Sequence, residues 1–236
     1  MKEEFTREAM LIGEDAVEKL NNSSVALFGL GGVGSYAAEA LARSGVGRIM
    51  IVDNDTVSTT NINRQLCALQ STVGQYKTDV VKQRLLDINP SIEIIERRDF
   101  VLSENIETFD LSEFDYVIDA IDTVSAKLAI AEVCNKLDVP MISCMGTGNK
   151  LDPMAFKVTD ISKTDTCPLA RVMRRELRNR GITHLNVLYS TEKAKTAVVS
   201  TNEKGKAVPA SIAFVPSVAG LIAASEAVKN IIGKEA

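Results

Sequence analysis

The chain has 236 residues, 45% of them hydrophobic and 25% charged, with a formal net charge of −4. That length suffices for one α/β domain with a full core. The acidic balance excludes a bulk positive surface for nucleic acid or membrane, so an anionic partner has to be met by a local basic patch.

Residues 1–20 are charged and amphipathic, which predicts a helical arm closed by the turn over 21–24, and they contain no apolar signal core. The apolar run 25–29 predicts a strand, followed by the turn Gly29-Leu30-Gly31-Gly32-Val33-Gly34 and a helix over 33–43. A second strand is expected over 48–53, ending in Asp53. Val80, Val81, Leu85 and Ile88 recur at helical spacing until Asn89-Pro90 stops the helix. Strands are predicted over 91–96, 116–120 and 140–146, with a helix over 125–137. This order implies an α/β fold, a doubly wound, Rossmann-like and mostly parallel sheet. Beyond it, 151–236 reads as a C-terminal extension: a strand over 155–160, a helix over 169–178, a strand over 186–190, a polar mobile loop over 192–210 and a final helix. The whole reads as a single domain, with an arm (1–22), a core (23–150) that holds the glycine turn, and the extension. The apolar segment 214–233 is interrupted by Pro216, Glu226 and Lys229, which favours a buried or interface helix over a membrane span.

The glycine turn carries the first chemical signal. Residues without a Cβ let the backbone adopt positive φ and let a phosphate approach its N–H groups, with the positive end of the next helix aimed at it. Gly29, Gly31, Gly32 and Gly34 are expected to serve that purpose. Asp53 follows at about the 20-residue distance at which an acid reaches a ribose hydroxyl. So far the pattern fits NAD or another adenine nucleotide. Asp55, Asn61, Arg64 and Lys77 then crowd after the second strand. A triphosphate needs such cations: Arg64 as a planar fork and Lys77 as a point charge. Asp122, leaving the end of a strand, suits a Mg2+ ion held with phosphate oxygens. Together these residues favour ATP and Mg2+ over NAD.

The four cysteines, Cys67, Cys134, Cys144 and Cys167, form no Cys-x-x-Cys pair, which argues against structural zinc and for reduced thiols in the cytoplasm. Cys167 precedes Pro168 at a helix start; it is either a thiolate nucleophile or a small buried side chain, and the second reading is preferred. His184, the only histidine, reads as a loop or strand-edge residue. In the helix over 169–178, Leu169, Val172, Met173 and Leu177 share one face. Arg171, Arg174, Arg175 and Arg178 fall within roughly 100° on the other, a candidate patch for a polyanionic partner that Lys163, Arg180, Lys193 and Lys195 extend.

The segments GLGGVGS, VDNDTVSTTNINRQ, VGQYKTDVVKQRLLDINP and VIDAIDTVSAK resemble the ubiquitin-activating-like superfamily of ThiF, MoeB and HesA relatives. Within it, LARSGVG, TNINRQ, DAID and VLYSTE look most like the tRNA threonylcarbamoyladenosine dehydratase branch, nearly end to end. The resemblance implies that Gly31, Gly32 and Asp53 bind adenosine and phosphate, that Asn61, Arg64 and Lys77 hold the triphosphate, and that Asp122 holds Mg2+. It implies a homodimer in which Arg7 enters the partner's ATP site. Many relatives carry a second arginine where this chain has Glu4, and some branch members carry aspartate where it has Cys167. The implied activity is ATP-dependent dehydration, a cyclisation of threonylcarbamoyladenosine in tRNA through an acyl-adenylate. The alternative is adenylylation of the C-terminus of a ubiquitin-like sulfur-carrier protein, whose enzymes commonly carry late zinc cysteine pairs that this chain lacks. A sulfur-transfer or cysteine desulfurase-type protein is a further candidate partner.

Overall fold

The computed structural model describes residues 3–195, 200–201 and 207–233. Its frame is a seven-stranded sheet of β1 (Ser24–Phe28), β2 (Arg48–Val52), β3 (Glu93–Arg97), β4 (Tyr116–Asp119), β5 (Met141–Cys144), β6 (Phe156–Asp160) and β7 (Asn186–Ser190). The spatial order is β3-β2-β1-β4-β5-β7-β6, all pairs parallel except β6 with β7. β1 is buried along its whole length because helices cover both faces of the sheet, which is why it reads as a continuous apolar run. Its side chains alternate. Val25 and Leu27 enter a core formed with α3 (Gly34–Arg43), α4 (Lys77–Ile88) and α7 (Phe214–Ile232). Ala26 and Phe28 enter a second core with α5 (Val124–Leu137) and α6 (Pro168–Asn179). Strand order reverses between β1 and β4, and a crevice opens at their carboxyl ends, where open α/β sheets bind ligands.

Two elements differ from expectation. The arm is two helices, α1 (Thr6–Ile12) and α2 (Glu14–Asn21), broken at Gly13, whose φ of 96° no continuous helix allows. Within the expected loop over 192–210, β8 (Ser200–Thr201) and β9 (Ala207–Val208) pair antiparallel, while 196–199 and 202–206 lie outside the described residues. The last helix begins at Phe214, so Pro216 sits in its first turn, where a missing N–H costs no helical hydrogen bond. Among the described residues, α7 alone is long and apolar enough to cross a membrane. Here it buries a stripe of small residues, Ala219, Gly220, Ala223, Ala224 and Ala227. A Cβ on Gly220 would stand 2.2 Å from the Val33 carbonyl oxygen of the α3 N-terminus, so the glycine permits this close crossing.

Candidate functional site

A cleft of about 600 Å3 occupies that crevice. Gly29, Gly31, Gly32, Asp53, Asp55, Asn61, Arg64, Lys77 and Asp122 all line it, so residues scattered over nearly a hundred positions converge. The four glycines divide by role. Gly29, at φ 89°, passes under the end of β4, where a Cβ would lie 2.8 Å from the Ala120 carbonyl oxygen. Around Gly31 the nearest atom to an added Cβ is Gln65 Nε2 at 4.0 Å, which leaves an open face for a phosphate. Gly32 is confined by Pro216. Gly34, expected at the phosphate, does not line the cleft; a Cβ there would meet the Gly29 carbonyl oxygen at 1.7 Å, so it serves the packing of α3 onto the turn.

Asp53 braces the turn. Its Oδ2 accepts the Leu30 N–H at 2.7 Å and its Oδ1 the Asp55 N–H at 2.8 Å. Burial pushes its carboxyl above the ordinary carboxylate range despite the nearby Lys77 ammonium. Lys77, the first residue of α4, is 5% exposed; its Nζ lies 2.7 Å from Asp55 Oδ2 and 3.7 Å from Asp53 Oδ1. Arg64 Nη1 donates to the Thr60 carbonyl and to Asn63 Oδ1, both at 2.9 Å, which fixes the guanidinium at the mouth of the cleft. Asn61 Oδ1 accepts the Ser58 N–H at 3.1 Å, which leaves its amide NH2 available to donate to a ligand. Asp122, three residues past the end of β4, also lines the cleft and is exposed; its Oδ1 accepts the Thr123 hydroxyl at 3.4 Å, and among the described residues no cation pairs with it.

The described residues include no cluster of three or more metal-ligating side chains. One exposed carboxylate without a cation partner, in a cleft also lined by Arg64, Lys77 and the glycine turn, fits the donor set of Mg2+, which takes one or two carboxylates and substrate phosphates. Val52, Phe100, Val101, Ile121 and Ala126 form an apolar wall suited to a flat base. Near the ends of β4 and β5, Asp119, Lys127 and Ser143 form a buried polar triad. Sequence reading missed both features, although Lys127 stands in the quoted DAIDTVSAK segment.

A ThiF family model matches residues 5–236. The chain belongs to the ThiF family. It is 48% identical to the tRNA threonylcarbamoyladenosine dehydratase of Bacillus subtilis (strain 168), over 98% of this chain and 96% of that protein. The Escherichia coli (strain K12) protein of the same name is 34% identical over 100% of this chain and 96% of its own length. Solved structures of that E. coli dehydratase, TcdA, in complex with ATP and with AMP, superpose with a TM-score of 0.89 and cover 98% of this chain and 94% of theirs. An "Adenylyltransferase and sulfurtransferase MOCS3" of Culex quinquefasciatus is 36% identical over 59% of this chain and 32% of that protein.

Other predicted residues of this ThiF-family chain lie outside the cleft. Arg7 is exposed on α1. Cys167 caps α6 and is 3% exposed, and the other three thiols are buried too. Burial pushes Cys67 up to about 11 and Cys134 and Cys144 up to about 12, so none of these three is poised to form a thiolate. His184 Nδ1 lies 3.1 Å from Asp160 Oδ2 at the strand edge. On α6, Arg171, Arg175 and Arg178 are exposed, but Arg174 departs from the expected patch. Its Nη1 donates to the Thr164 carbonyl at 2.7 Å and to the Ile161 carbonyl at 3.3 Å, tying α6 to the segment before it. Arg180 is likewise spent on Glu132 and Glu176. Glu192, of the VLYSTE segment, accepts the N–H groups of Asp152 at 2.9 Å and Leu151 at 3.0 Å, latching the turn after β5 to the end of β7.

Proposed function

We propose that this chain is an ATP-dependent tRNA threonylcarbamoyladenosine dehydratase that closes its substrate through an acyl-adenylate. The carrying observation is a single cleft lined by Lys77, Arg64, Asn61 and the open glycine turn together with Asp122, which has no cation partner among the described residues. Near full-length similarity to two dehydratases of that name, one solved with ATP and with AMP, supports the same reading.

In this reading a carboxylate oxygen of the threonylcarbamoyl group attacks the α-phosphorus and pyrophosphate leaves. A second group of the same side chain then attacks the activated carbonyl and AMP leaves. The oxygen lost from the substrate departs in AMP, so ATP cleavage takes up the water removed. Positioning within one molecule contributes up to roughly 7–11 kcal/mol and needs no protein nucleophile, in keeping with four buried thiols. Lys77 and Arg64 place positive charge on the phosphate oxygens, and the backbone around Gly31 lets them approach. Asp122 would hold Mg2+, which when bound neutralises charge on the phosphates. Arg171, Arg175 and Arg178 offer a positive face for the tRNA backbone. A homodimer completes the site when Arg7 reaches the partner's cleft, and the reduced thiols fit the cytoplasm. Adenylylation of a sulfur-carrier C-terminus is the weaker reading, since the adenylyltransferase and sulfurtransferase named above covers only 59% of the chain.

The decisive experiment incubates the protein with ATP, Mg2+ and tRNA bearing threonylcarbamoyladenosine and weighs the digested nucleosides. A loss of one water with AMP and pyrophosphate formed is expected; unchanged nucleoside mass with a sulfur-carrier tail adenylylated instead would install the alternative. For the dimer, an Arg7→Ala protomer mixed with an Asp122→Ala protomer should regain activity that neither homodimer has.

A further inference from the structure

Asp119 and Lys127 are both wholly buried, and Asp119 stands at the end of β4, three residues before Asp122. Lys127 Nζ lies 2.9 Å from Asp119 Oδ2 and 3.2 Å from Ser143 Oγ, and Ser143 Oγ donates to Asp119 Oδ2 at 2.6 Å. Asp119 is the last residue of β4 and is paired in register with Ser143 of β5, while Lys127 comes from the first turn of α5. Three elements are thus joined at one point. The remaining oxygen, Asp119 Oδ1, accepts the Ile121 N–H at 3.2 Å, one residue before Asp122. Residues 120–123 after β4 and 146–148 after β5 form two sides of the cleft, and the triad lies where their strands end.

A buried ion pair is a weak source of net stability. Desolvating a carboxylate and an ammonium costs several kcal/mol each, and well-packed apolar residues in their place are often as stable or more so. What an apolar pair cannot supply is a directional hold on the Ile121 amide and on the relative placement of the two turns. The neighbouring cleft residues are reached from short loops, whose geometry depends on such bonds.

We infer that Asp119, Lys127 and Ser143 are positioning residues that set the Asp122 turn and the turn after β5 for a metal-bound triphosphate. This rests on the ATP and Mg2+ reading of the cleft. The test compares the full-length protein with Asp119→Val/Lys127→Met, which removes both charges, and with Ser143→Ala, which removes one hydroxyl and keeps the ion pair. ATP binding is measured by calorimetry with Mg2+ and with a chelator, alongside amide exchange at 120–123 and thermal melting.

In the folded double variant, the gain in ATP affinity on adding Mg2+ should shrink about 10- to 100-fold, the range found for partners that orient metal ligands. The Ile121 amide should also exchange faster. An unchanged Mg2+ gain together with unchanged exchange in a folded variant would overturn the inference and leave the triad as core. If the double variant does not fold, Ser143→Ala decides by the same two readouts. If the wild-type protein binds ATP equally with and without Mg2+, the metal role of Asp122 fails by itself. Exchange at 120–123 and affinity in chelator then decide the positioning role, and no change in either overturns it.

Discussion

In the cleft, the chain's own oxygens hold the cations. Lys77 lies between Asp55 and Asp53, and Arg64 is fixed by the Thr60 carbonyl and Asn63. On α6, Arg171 and Arg178 are exposed without a carboxylate partner among the described residues, and Arg175 pairs only with its neighbour Glu176. The cleft charges are preorganised in a partly buried site, which suits a small, rigid anion and costs little reorganisation when it arrives. The α6 charges are exposed to solvent, which suits a long polyanion met through counterion release. Two groups of cations therefore suit different kinds of anion because their surroundings differ.

The sharpest way to break that contrast is Asp122→Ala. Activity should fall by about 100-fold or more, the scale of losing one preorganised electrostatic group. Its exposure predicts a stability change within about 0.5 kcal/mol in a denaturant titration. Activity near wild type would leave the cleft without its metal-holding acid.

A pair of glycine variants separates packing from binding within the same turn. Gly34→Ala should destabilise the protein by at least about 1–3 kcal/mol, because its Cβ meets the Gly29 carbonyl. Gly31→Ala should melt like the wild type yet bind ATP poorly, since its methyl group enters the open face. Equal effects of the two on melting would refute this division.

On α6, each of Arg171→Ala and Arg178→Ala should weaken tRNA binding and lower the slope of log affinity against log salt by roughly 0.7–0.9. Arg174→Ala should instead lower thermal stability and leave that slope nearly unchanged, because its guanidinium already serves two carbonyls of the chain.

The smallest effect concerns the thiols. Cys167→Ala should remain active, and a thiol reagent at pH 8 should label the native protein slowly and the unfolded chain fast. Cys67, Cys134 and Cys144 have folded pKa values above the unfolded value of about 8.5. The native state therefore keeps protons that the unfolded state releases. Stability should be intact below about pH 8.5 and fall as pH rises toward 11 or 12. A stability curve flat from pH 8 to 10 would mean that these thiols are not buried as described.

Periodicity and turn chemistry are local properties, and they made much of this molecule legible in advance. The continuous apolar run of β1, the helical spacing in α4 up to Asn89-Pro90 and the glycine turn each follow from side-chain shape and backbone sterics. The cleft residues were legible as types, because phosphate recognition requires cations, open glycines and an acid. Their convergence, the brace from Asp53 to Leu30, the packing role of Gly34 and the loss of Arg174 to its own chain were decided only by tertiary structure. The same holds for the buried Lys127, which along the chain looks like any solvated lysine of a helix. Whether a charge is free, paired or buried depends on strands and helices distant in sequence, and desolvation and partner distance are properties of that packing alone.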